Sequence, residues 1–121
     1  AACITQSTTM CFAIEYLLQY PEVQAKAQQE VDDVIGHSRL PTLDDRKNLP
    51  YMEALMREVM RRNTLSPMAL PHRCTEDTYF YGYFIPKDTM VFANLWSNNM
   101  DEKLWGDPFE FRPERHLEED G

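Results

Sequence analysis

Leu49-Pro50-Tyr51 followed by Glu58-Val59-Met60-Arg61 sets a proline at a helix start and an acid and a base three residues apart within that helix. Residues three apart on a helix share a face. Glu58 and Arg61 can therefore form one ion pair, and Arg115, in Phe111-Arg112-Pro113-Glu114-Arg115, can add a second arginine to the same carboxylate. The guanidinium suits this role because its planar fork offers several donors in fixed geometry. The ordinary reading of an acid and a base at this spacing is a solvated surface pair, worth roughly 0.2–0.5 kcal/mol. Four residues alone do not choose between the two.

Pro50 opens a helix whose apolar stripe is Met52, Leu55, Met56 and Val59, and which ends near Asn63. Upstream, Met10, Ala13, Ile14, Leu17 and Leu18 recur at helical spacing. That helix ends near Gln19-Tyr20, because a residue preceding proline is pushed out of the α region. A further helix starts at Pro21, carries Val23, Ala27, Val31, Val34 and Ile35, and stops at Gly36. Thr42 with Asp45 three residues on predicts a capped short helix. After Pro71 the period changes. Tyr79 to Ile85 and Thr89 to Ala93 read as short strands, with Pro86-Lys87-Asp88 as the turn between them. From Asn98 onward, irregular structure with one short helix near 101–104 is expected. The fold class is mainly α with short β strands.

The 121 residues suffice for one domain at most. A net charge of −8, from 20 acids against 12 bases, argues against a nucleic-acid partner and gives no support for an anionic lipid surface. No apolar run is long enough to cross a bilayer. Cys3, Cys11 and Cys74 show neither a disulfide framework nor zinc spacing, and read as reduced, mostly buried thiols of an intracellular protein.

Tyr20-Pro21-Glu22-Val23-Gln24, Glu58-x-x-Arg61, Leu70-Pro71-His72-Arg73, Gly82-Tyr83-Phe84-Ile85-Pro86-Lys87, Trp105-Gly106-Asp107-Pro108 and Phe111-Arg112-Pro113-Glu114-Arg115 follow one another in an order that resembles the cytochrome P-450 haem-thiolate monooxygenases. The likeness covers nearly the whole chain and is nearest to fungal secondary-metabolite members of the O-methylsterigmatocystin oxidoreductase type. It implies a partial cytochrome P-450 domain over residues 1–121: the end of the central helix, two further long helices, a small β-hairpin region and an irregular segment. The N-terminal half and the haem-cysteine loop are expected to lie outside it. On this likeness Glu58, Arg61 and Arg115 form a structural triad, and His72, with Arg73 as the alternative, donates to a haem propionate. The other reading of His72-Arg73 is a solvated pair. Thr5 matches the central-helix threonine that delivers protons, although Ile4 stands where the family has an acid and cannot relay a proton. The other reading of Thr5 is a helix threonine bonding back to a carbonyl. None of the three cysteines matches the iron-ligand loop, so no thiolate-bound haem is expected on this fragment alone.

The resemblance further implies that the intact parent inserts one oxygen atom of dioxygen into a small organic substrate. It would take electrons from an NADPH-dependent reductase, with an endoplasmic-reticulum anchor upstream of Ala1. The competing expectation is a truncated or pseudogene product that does not ligate haem, and Ile4 speaks for it.

Overall fold

A computed structural model of the chain describes residues 2–117. Three long helices carry the fold: α1 (Ala2–Gln19), α2 (Pro21–Val34) and α3 (Pro50–Arg62). Tyr20 separates α1 from α2, and Pro21 opens α2, since its fixed φ suits a first helical turn. Gly36 adopts φ +70° just past the α2 cap, and its N–H donates to the Asp32 carbonyl at 3.0 Å. A side chain there would be strained, which is why glycine stops this helix. A 3-10 turn, Leu43–Asn48, joins α2 to α3. Its Asp45 carboxylate accepts from the Thr42 N–H at 2.8 Å and from both Arg39 Nη atoms at 2.7 Å. The hydrogen bond from Arg39, then the Thr42 bonds, hold Asp45 well below the usual carboxylate range despite burial.

The core lies where α1, α2 and α3 meet the distal Phe111. Val23, Ala27, Leu55, Val59 and Phe111 are buried, flanked by Phe12, Ala13, Tyr16, Leu17 and Tyr20. The Tyr16 and Phe111 rings stack at 4.2 Å, a contact worth about 0.5–1.5 kcal/mol beyond its area. This corrects the expected stripe of α1. Ala13 and Leu17 pack as expected, but Met10, Ile14 and Leu18 are exposed, and the packed face continues through Phe12, Tyr16 and Tyr20. Both stripes have helical spacing, so periodicity alone did not choose between them.

The β region also departs from expectation. Residues 79–85 are not one strand. β2 (Thr78–Phe80) and β3 (Tyr83–Ile85) form an antiparallel hairpin, with Tyr79 opposite Phe84. Tyr81 (φ +48°) and Gly82 (φ +83°) make its two-residue turn, the conformation that matches strand twist. Asp88 takes φ +68°, as its tolerance of the left-handed region allows. The Pro86-Lys87-Asp88 turn does not join two paired strands, however. β4 (Met90–Val91) pairs with β1 (His72–Arg73), so the hairpin is an excursion between them. Beyond β4 come two short helices rather than one, α4 (Leu95–Asn99) and α5 (Glu102–Trp105). A 3-10 turn, Pro113–His116, follows.

Candidate functional site

Glu58 is the centre of the molecule's buried charge. Its side chain is 0% exposed, with Arg61 at 3%, Arg115 at 5% and His116 at 12%. The helical spacing of α3 turns Glu58 and Arg61 to one side. Arg61 donates through Nε to Oε2 and through Nη2 to Oε1, both at 2.8 Å, a two-pronged bond of the strong kind. The third partner arrives from the distal segment. Arg115 Nε donates to Oε1 at 3.1 Å, and the Arg112 backbone N–H reaches the same oxygen at 3.0 Å. The three residues expected to form a triad are thus brought together.

The other nitrogens of the two guanidiniums donate to the chain around them. Arg61 Nη1 donates to the Asn99 carbonyl at 2.8 Å and Nη2 to the Glu110 carbonyl at 3.3 Å. Arg115 donates to the carbonyls of Trp105, Asp107 and Glu110 at 2.8–3.2 Å. The Trp105 ring faces the Arg61 guanidinium at 5.0 Å. Taking an ion out of water costs several kcal/mol, and this density of donors is what offsets it. Burial pushes the Glu58 carboxyl up, but Arg61, the Arg112 N–H and His116 together outweigh it and hold the group below its ordinary range. Asp107, 3.0 Å from Arg115 Nη2, behaves alike: burial raises it and the Arg115 bond brings it below its ordinary value.

Two members of this region were not legible in advance. His116 Nε2 lies 2.8 Å from Glu58 Oε2, a third side chain on the carboxylate after Arg61 and Arg115. Its only sequence signal was a histidine adjoining Arg115. Glu30 on α2 accepts from the Tyr51 and Met52 N–H groups at 2.8 Å each. It thereby supplies, from 21 residues away, the cap that Leu49 cannot give α3. Glu114 completes the clamp on the distal turn, pairing with Lys26 of α2 at 2.5 Å and accepting from the Tyr51 hydroxyl at 3.3 Å. Burial, then the Glu114 charge, push the Tyr51 phenol up to about 12.

The other expected site residues lie elsewhere. His72 and Arg73 occupy β1 and are exposed, with Arg73 3.5 Å from Asp88. Thr5 is an exposed residue of α1 whose carbonyl accepts from the Thr9 hydroxyl at 3.0 Å. It shares a shallow groove with Gln6, Thr9, Met10 and Met56. Ile4 beside it is exposed. The thiols are not mostly buried as expected: Cys3 and Cys11 are exposed on α1, and Cys74 is half-buried after β1. Among the described residues no cluster of His, Cys, Asp and Glu has the form of a metal site. Nor is any described helix long and apolar enough to cross a membrane.

The family profile described as Cytochrome P450 matches residues 1–121. The chain is 50% identical over 117 residues to cytochrome P450 1A1 of Felis catus, an alignment covering 97% of this chain and 23% of that protein. Against cytochrome P450 1A1 of Opsanus tau the identity is 46%, covering 97% and 22%. A solved zebra fish cytochrome P450 with abiraterone superposes with a TM-score of 0.90 at 41% identity, covering 94% of this chain and 28% of that one. The chain therefore spans about a quarter of the length of the curated relatives it matches. The expected likeness to fungal secondary-metabolite members finds no support in these matches, which are to animal proteins.

Proposed function

The chain belongs to the cytochrome P450 family, and on that premise we propose that it is the scaffold segment of a haem-dependent monooxygenase. One observation carries the reading. A fully buried carboxylate, Glu58, is shared by Arg61 of α3 and Arg115 of the distal turn. That cluster fixes the turn Pro113–His116 against the helical core, and so sets the platform behind the place where the family holds its haem. Its role is architectural.

His72 and Arg73 are the residues that would hold the haem propionates. Both side chains are exposed, and the Arg73–Asp88 pair is long enough and solvated enough to exchange its partner for a propionate at little cost. Bound haem supplies the activation of dioxygen, and the chain's own residues bind and orient. Thr5 would hold a proton-donating hydroxyl on the central helix α1. Leu65, Met68 and Leu70, exposed in the loop after α3, would meet a small organic substrate. Electrons would come from an NADPH-dependent reductase, and the parent would be anchored at the endoplasmic reticulum. A second reading, a product that does not ligate haem, is favoured by Ile4, which puts an alkyl group where the family has an acid.

The test is haem loading of the full-length parent carrying Glu58→Ala or Arg61→Ala. Loss of haem incorporation is expected from both. A normal holoprotein from either variant would contradict the scaffold role.

A further inference from the structure

Glu58 Oε1 already accepts from Arg61 Nη2, the Arg112 N–H and Arg115 Nε, and Oε2 accepts from Arg61 Nε. His116 Nε2 meets Oε2 at 2.8 Å. Two charged guanidiniums keep this carboxylate ionised, so it has no proton to give. An imidazole nitrogen facing it must therefore carry the proton itself, because two acceptors at that distance repel. We infer that His116 is a positioning residue, its ring locked with the Nε2 proton on Glu58, and that it fixes the direction in which the chain leaves the distal turn.

The turn explains why this matters. Glu114 ties it to Lys26 and Tyr51, while Arg115 ties it to Glu58. His116 is the last of these anchored side chains before Leu117, whose N–H closes the turn on the Glu114 carbonyl at 3.1 Å. The imidazole cannot swing aside freely, since its other neighbour is the Trp105 ring at 5.6 Å, and Trp105 Nε1 is itself bonded to the Asn98 carbonyl at 2.9 Å. Any effect on a haem loop beyond Leu117 rests on the proposed function. The state of the ring does not, because it depends only on groups present in this chain.

Nitrogen-15 NMR of the imidazoles in the full chain at neutral pH tests it, with the exposed His37 and His72 as internal references. His116 should show a single Nε2-protonated form whose proton exchanges with solvent roughly tenfold or more slowly than theirs. A His116 that is unprotonated at Nε2, or that averages between tautomers, overturns the inference. His116→Ala should speed exchange of the Leu117 amide by roughly tenfold, while His116→Gln, which keeps an N–H at the end of its side chain, should stay near the wild-type rate. Equal Leu117 exchange in wild type and His116→Ala would likewise overturn it.

Discussion

Helix α3 carries two acid–base clusters that look alike in sequence and behave as opposites in the fold. Near its start, Glu53 pairs with Arg57 four residues on at 3.2 Å and with Arg46 at 2.7 Å. One turn later, Glu58 pairs with Arg61 at 2.8 Å. The arginines on Glu53 are 69% and 56% exposed, whereas Arg61 is 3% exposed. The difference does not come from the helix. It comes from the segment 99–116, which lays its carbonyls, Arg115 and His116 over one cluster and leaves the other in water. An i,i+3 or i,i+4 pair becomes architecture only when a distant stretch of chain supplies the remaining donors.

The contrast is sharpest under alanine substitution. Glu58→Ala strands two buried guanidiniums and should cost about 3–5 kcal/mol, a large share of the stability of a chain this size. Chemical denaturation against Glu53→Ala checks it, and comparable losses at the two positions would remove the distinction. Apolar truncation offers the next comparison. Leu55→Ala, beneath the buried cluster, should cost about 2–5 kcal/mol, while Leu43→Ala on the exposed connector should leave the unfolding midpoint within about 0.5 kcal/mol of wild type.

Acid separates the clusters by a different route. The folded-state pKa of Glu58 lies below its ordinary 4.5. The stability it contributes is therefore complete above that value and drains away as pH falls through the lower folded value. Glu53 is also lowered, by Arg46 first and with Arg57 helping against burial, but its arginines are solvated and salt screens them. Acid unfolding of wild type should accordingly be steep and nearly indifferent to moderate salt, and Glu58→Gln should flatten it. A strong salt dependence would move the acid sensitivity to the exposed pair. At the alkaline end, Tyr51 should ionise only at about pH 12, followed by phenolate absorbance. Glu114→Gln removes a neighbouring charge and should bring that midpoint down.

Smaller still is the effect at the helix start. Glu30→Gln leaves a single acceptor oxygen where the Tyr51 and Met52 N–H groups each have their own, and removes the charge, and should cost about 1 kcal/mol by thermal denaturation.

Much of the helical frame was legible because its signals are local. Pro21, Pro50 and Gly36 act through their own backbone geometry, and Thr42 with Asp45 acts within one turn. The triad was legible only through the order of motifs, since nothing in Glu58-Val59-Met60-Arg61 distinguishes it from Glu53-x-x-x-Arg57. What stayed hidden depends on long-range placement. The pairing of β1 with β4 spans the intervening hairpin, and the caps and clamps from Glu30 and His116 cross 21 and 58 positions. The Tyr81-Gly82 turn was a nearer miss. A residue followed by glycine between two aromatic runs is a hairpin signal, obscured because the aromatic residues run on to either side without a break. On α1, two competing stripes of equal period left the choice to Phe111, more than 90 residues away.

The Glu58 carboxylate on α3 holds the distal segment as firmly as the helix holds itself. Native-state hydrogen exchange at the Arg112 amide tests it most directly, because that N–H lies outside any helix or strand and donates to Glu58 Oε1. Protection matching the Leu55 and Val59 amides is predicted. Exchange as fast as that of the exposed Lys87 amide, which donates only to the Asp77 side chain among the bonds described, would contradict it.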